Sequence, residues 1–255
     1  MPRRGAIQVP KQIGGEIEKM ADVGAESVER YHGRAADLHD AHESADAFYN
    51  TVDCTRKFRW RDDSAWDQDF EAPGVGVPAT GTDYAYVDNV DIAYFAGHGS
   101  ENGPFFGVNT HDDGEAKPDE VRWGDRDLEW IAFHSCLILH DAPGNRAVNR
   151  WRNAFQGLHY ILGFSTICWG CGDTLGRRFA QLLNAGWRVK DAWIRASIES
   201  QPSSTHTAYI RADVYSGSSK LTDTFDDHLW GHGYVSPDPK PSKGSLVLYY
   251  FSTPC

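Results

Sequence analysis

The sequence predicts an α/β fold, a three-layer α/β/α arrangement around a mostly parallel sheet with additional C-terminal strands. Short apolar runs at 91–97, 128–133 and 158–164 have the length and continuity of strands buried on both faces. Segments with apolar residues at helical spacing stand between and after them, at 145–155, 174–185 and 189–198. Strands that alternate with amphipathic helices pair in parallel, and the right-handed crossover rule sets the three runs side by side.

Taken in order, residues 1–30 are polar with weak periodicity and read as a mobile N-terminal arm, which leaves 31–255 as one domain. From Ala35 to Thr51, Leu38, Ala41, Ala45, Phe48 and Tyr49 recur at helical spacing. His39 and His42 lie three apart there, a metal-compatible spacing that is more often a solvated face. Asp62 to Gly76 is an acidic loop that closes with Pro73, Gly74, Gly76 and Pro78. The first apolar run then ends at Gly97-His98-Gly99-Ser100, the second at His134-Ser135-Cys136 and the third at Ser165 to Gly172. Val148, Trp151, Ala154 and Phe155 give one helix its apolar face, and Leu175, Phe179, Leu182 and Leu183 give another. Tyr209–Tyr215 and Leu246–Phe251 are strand-like with no helix between them; either they extend the sheet or they form a small antiparallel appendix.

Composition narrows the function. A net charge of −11 over 255 residues argues against nucleic acid and anionic membrane, both of which demand a basic surface. No apolar stretch has membrane-spanning length, and the first fifteen residues carry no apolar signal core. Five cysteines, an odd number without framework spacing, fit a reactive thiol or a metal ligand better than a disulfide scaffold. The chain therefore reads as cytoplasmic. No phosphate-binding glycine loop, zinc-protease helix or dinucleotide fingerprint occurs, so no cofactor is expected.

Ligands of an open parallel sheet bind beyond the carboxyl ends of its strands. The first two runs deliver His98 and Cys136 there, on strands about 4.7–4.9 Å apart. A cysteine nucleophile needs a base that holds it as thiolate, and the oxyanion formed on attack needs N–H donors. His98 can be the base, Cys136 the nucleophile, and the backbone N–H groups of Gly99 and Cys136 the donors. A second Gly-His-Gly, at 231–233, follows no apolar run and is set aside.

A hydrophobic strand closing in His-Gly, here Ala93 to Ser100, followed by one closing in small-residue-Cys, here Trp130 to Cys136, resembles the caspase–legumain–gingipain (clan CD) cysteine peptidases. The stretch from Tyr84 to Ala196 is also similar to a bacterial domain family of that fold, through Trp123-Gly124, Asp127 to Trp130 and Gly157 to Phe164. The resemblance implies a caspase-like sheet, with His98 as general base and Cys136 as nucleophile of a peptidase or acyltransferase. It departs from the usual pattern after the nucleophile, where bulky Leu137, Ile138 and Leu139 crowd the exit. That crowding is unlike the pattern of ordinary protein cleavage and fits maturation of a peptide natural product; the same dyad serves hydrolysis, or ligation and cyclisation where an amine replaces water.

Cys168 and Cys171 have redox or zinc spacing, and three readings stand: bystander thiols, a redox pair able to lock Cys136 in a disulfide, or a metal site with His98 or Cys136. Asp112 and Asp113 belong to an acidic loop between the two strand ends, which would favour a basic substrate if it lined the cleft. The alternative to an enzyme is a caspase-like scaffold that binds a partner through Trp123, Trp130, Trp151 and Trp169. The expected partner is otherwise a peptide or small amide substrate.

Overall fold

A computed structural model describes residues 19–76 and 78–255. In chain order the elements are β1 (Asp22–Ser27), α1 (Ala41–Thr51), β2 (Thr55–Arg61), β3 (Ile92–Ala96), the short β4 (Gly99–Ser100) and β5 (Gly103–Pro104), β6 (Trp130–His134), α2 (Ala147–Arg150), β7 (Tyr160–Phe164), α3 (Thr174–Asn184), α4 (Val189–Ser200), β8 (His206–Ser216), β9 (Ser219–Asp223) and β10 (Ser245–Pro254). One sheet runs β10-β8-β7-β6-β3-β1-β2, with β9 also on β8. The pairs from β2 across to β7 are parallel, and the three pairs made by β8 are antiparallel. The fold is α/β with a mostly parallel mixed sheet and few helices.

Side chains alternate across the sheet and build two cores. Tyr94, Trp130, Ala132, Leu162 and Phe164 meet Phe48 of α1, Phe179 of α3 and Trp193 of α4 on one face. Phe95, Ile131, Phe133 and Ile161 meet Phe70, Phe106, Trp123 and Trp151 on the other, under α2 and a succession of loops. Strands β3, β6 and β7 are buried at every position, which explains their unbroken apolar runs. Among the described residues no helix is long and apolar enough to cross a membrane.

Two expectations need correction, and one open question is answered. Residues 1–18 of the expected arm lie outside the described residues; 22–27 form β1, paired in parallel on both sides with β2 and β3. The boundary at 31 therefore falls inside one continuous sheet. The helix expected over 145–155 is α-helical only at Ala147–Arg150 and tightens into a 3₁₀ turn over Trp151–Ala154. The open question about the last strands is answered by β8 and β10, which extend the sheet antiparallel.

Candidate active site

The ladder between β3 and β6 ends at Ala96 opposite His134, and the Gly97 N–H donates to the His134 carbonyl at 3.3 Å. His98 and Cys136 thus stand two residues past the same rung. Gly99 packs directly on the neighbouring chain: a Cβ there would meet Ile138 Cδ1 at 2.8 Å and Ser135 Cβ at 2.9 Å, so the close approach requires glycine. Just after Cys136 the chain turns sharply, with Leu137 at φ +63°, a left-handed conformation costing about 1–3 kcal/mol for such a residue. The turn sends Ile138 and Leu139 into the core. The bulky trio therefore does not crowd the thiol as expected; only Leu137 stays at the mouth.

Cys136 is half-buried, and its Sγ accepts from the Cys168 N–H at 3.3 Å and lies 3.7 Å from Cys168 Sγ. Hydrogen bonding from the Cys168 thiol draws the Cys136 pKa down to about 6; burial opposes this, and the Cys168 N–H adds to it. Cys168 moves the other way, its proton held by the bond to Cys136 and by burial. At neutral pH this arrangement favours a Cys136 thiolate with Cys168 as its donor. Sγ is also 3.3 Å from the Cys168 carbonyl, a contact that serves only the protonated thiol. Cys54 provides the contrast, since burial among carboxylates pushes its thiol up.

His98 is fixed from three sides. Its Nε2 lies 2.8 Å from the Ala36 carbonyl, which can only accept, so Nε2 carries the hydrogen and Nδ1 keeps its lone pair. Its backbone N–H donates to the Tyr31 hydroxyl at 2.7 Å, and that hydroxyl donates to the Val28 carbonyl at 3.2 Å. The Tyr31 ring leans against the imidazole with centroids 4.7 Å apart. Among the described residues no hydrogen bond joins His98 to Cys136, and none uses the Cys136 N–H. The strand ends abut; the two side chains are not bonded to each other.

The Cys168–Cys171 pair is divided between two environments. Cys171 Sγ lies 4.0 Å from His134 Nε2 and 3.6 Å from Gln201 Nε2. His134 is itself held by Ser44 Oγ at 2.9 Å and the Trp169 carbonyl at 3.1 Å, and burial lowers its pKa. Among the described residues the thiols and His134 do not bring three ligand atoms within 4.8 Å of one another. His42 is engaged by Ser27 at 2.8 Å and Asp62 at 3.1 Å, a structural role.

Asp112 and Asp113 do not line the thiol. Asp113 pairs with Lys117, and both aspartates approach Asp67. Leu137, next to Cys136, and Ile167 and Trp169, on either side of Cys168, line an open cavity of about 410 Å³ together with His140, Ser165, Thr166 and Ser204; neither thiol is in its lining. Trp169 and Ile167 are 60% and 58% exposed on its rim. Trp123, Trp130 and Trp151 are fully buried, so three of the four tryptophans proposed for a recognition surface are core. A larger depression of about 800 Å³ beside Trp187 and His228 carries no cysteine or serine.

A family model described as a domain of unknown function, DUF6345, matches residues 25–253. The chain belongs to that family. The match opens inside β1 and closes inside β10, so the DUF6345 domain is the whole sheet and contains both strand ends described above. No curated protein matches the chain.

Sequence reasoning about this DUF6345 domain missed Tyr31 and the Ala36 carbonyl, because a backbone acceptor and a hydroxyl sixty-odd residues upstream leave no motif. It also missed the turn at Leu137. A branched residue gives no sign of positive φ.

Proposed function

We propose that this domain is a caspase-like cysteine peptidase or acyltransferase acting on a peptide or amide, with Cys136 as nucleophile and His98 as general base. The observation that carries the reading is a partly buried thiol drawn down to about 6 at a strand end, with its chain neighbour Leu137 on the wall of an apolar cavity. Perturbed ionisation in a cleft is the usual mark of a working nucleophile. The Nε2–H tautomer leaves Nδ1 of His98 free to take up the proton that Cys136 gives up as the thiolate forms, and to hold it for the leaving amine. Before substrate arrives catalytic hydrogen bonds are commonly long, so the two groups close on each other only in the complex.

The thiolate attacks the amide carbonyl, and the N–H groups of Gly99 and Cys136 receive the oxyanion. His98 returns its proton to the leaving amine, which departs as the thioester forms. Water, deprotonated by His98, then releases the acid; an amine in its place gives a ligated or cyclised product. Leu137, Ile167 and Trp169 line a cavity suited to an apolar substrate side chain.

A peptide library incubated with wild type and with Cys136→Ala, read by mass spectrometry, tests this. Wild type should yield cleaved or joined peptides, and the variant at least ~10³-fold less. No product from wild type, or equal product from both, would overturn the reading.

A further inference from the structure

We propose that a divalent cation of the calcium class binds a carboxylate pocket formed by Asp67, Glu71, Asp112 and Asp113. Asp67, Asp112 and Asp113 each offer an oxygen within 4.8 Å of the other two, a spread that one calcium sphere spans with oxygens at 2.3–2.6 Å. Glu71 supplies the independent observation. It is 1% exposed, its Oε1 has no hydrogen-bond partner, and its carboxyl lies against Asp112, whose buried Oδ2 is likewise unpartnered. The two carboxyl groups lie against each other, so either a shared proton or a cation must stand between them.

A second acidic group in the same molecule shows the alternative. Asp22, Asp91 and Asp127 are equally close, but the Lys19 ammonium sits on Asp91 and 3.2 Å from Asp127, and Lys57 reaches Asp22 at 2.9 Å. There the chain supplies its own cations. At Asp67, Glu71 and Asp112 no lysine, arginine or histidine pairs with a carboxylate among the described residues; Lys117 reaches Asp113 and stands 3.7 Å from Glu120. Asp67 is oriented by the Gly114 N–H at 2.5 Å and the Gln68 N–H at 3.1 Å, which leaves each of its oxygens a lone pair. An all-oxygen set carried on a 3₁₀ turn and a loop suits calcium, which accepts irregular geometry, better than the strictly octahedral magnesium.

Trp66 stacks on His111 with centroids 3.5 Å apart, next in sequence to Asp67 and Asp112. That places an indole beside the pocket to sensitise a bound lanthanide. Full-length chain stripped with EGTA is titrated with CaCl₂ by calorimetry, and in parallel with Tb³⁺ while exciting tryptophan. One ion per chain is expected, with terbium emission that calcium displaces. Asp112→Asn and Asp113→Asn should each weaken calcium by about 10-fold or more, and Asp127→Asn should leave it unchanged. No calcium binding by wild type, undiminished binding by both pocket variants, or an equal loss in Asp127→Asn would overturn the assignment.

Discussion

At its amino edge the sheet sets Asp91, Glu129 and His159 immediately before β3, β6 and β7; at its carboxyl edge, two residues past a rung, it sets His98 and Cys136. Both edges hold ionisable groups moved from their ordinary range, yet they differ in how those groups are answered. At the amino edge all three are nearly inaccessible; Lys19 sits on Asp91 and 3.8 Å from Glu129, and Asp227 pairs with His159. At the carboxyl edge Cys136 Sγ meets the N–H and S–H of Cys168, with the Cys168 carbonyl also 3.3 Å away, and no full counter-charge; the residue is only partly buried, next to Leu137 on the wall of a cavity. A perturbed group with a full counter-charge holds the fold together; one with weak donors and an open face has lone pairs left for a substrate.

The sharpest way to break that comparison is to open the amino edge. His159 is fully buried; burial opposes its charge, but the hydrogen bond to Asp227 and the Asp238 carboxylate 3.7 Å away outweigh this and raise its pKa to about 9. A pKa raised above the unfolded value near 6.5 stabilises the fold fully below pH 6.5, and that part fades as pH climbs through about 9. Asp227→Asn leaves the imidazole without its partner and should cost about 3–5 kcal/mol in urea unfolding. It should also flatten the loss of stability between pH 6.5 and 9 while leaving alkylation of Cys136 unchanged. A variant that slows Cys136 instead would show that the two edges are not separate in role.

How far the sequence carries this picture depends on how each strand is stabilised. β3, β6 and β7 are written as apolar runs because both of their faces are covered, and the strand ends that set His98 and Cys136 two residues past one rung were legible with them. β1 was invisible: Asp22, Gly24, Glu26 and Ser27 look like a loop, and Gly24 is small because the Phe58 ring of β2 occupies the space of its Cβ. β2, with Thr55, Arg56, Lys57, Arg59 and Arg61 around Phe58, is the charged edge that protects a sheet from pairing further, and charge hides a strand from a hydrophobic scan. The acidic loop shows a second limit of reading along the chain. Asp112 and Asp113 lie between the two strand ends in sequence, but in space they answer to Asp67, on a segment forty-odd residues earlier.

The carboxyl edge is sharpened through Cys168. If its thiol holds Cys136 ionised, Cys168→Ala should move the midpoint for iodoacetamide reaction at Cys136 from about 6 toward the ordinary 8.5. Near pH 6 that is a loss of roughly 100-fold in thiolate. The sign follows from a lowered pKa, with wild-type reactivity present above pH 6 and lost below it. Peroxide provides a second readout: two-electron oxidation should join Cys136 to Cys168, now 3.7 Å apart, in a disulfide that dithiothreitol reverses. The alanine variant, with no resolving thiol, should proceed to sulfinic acid. An unmoved midpoint would assign the low pKa to the Cys168 N–H alone.

The smallest expected effect concerns which side chain the carboxyl edge receives. The cavity beside Cys136 is walled by Leu137, Ile167 and Trp169, and the acidic residues that would have favoured a basic substrate are turned toward Asp67 and Lys117. Trp169→Ala removes the largest apolar wall while the Cys168 N–H and its thiol remain in place. It should lower kcat/KM for peptides with a large apolar residue at the scissile bond by about 10- to 100-fold, in keeping with 1–3 kcal/mol for partial loss of an apolar pocket. Peptides with a small residue there should be cleaved or joined almost as before, because the chemistry at Cys136 is untouched. Asp112→Asn and Asp113→Asn, assayed with lysine and arginine peptides, should change neither class. A selective loss of basic substrates in those two variants would return the acidic loop to the mouth of the cleft.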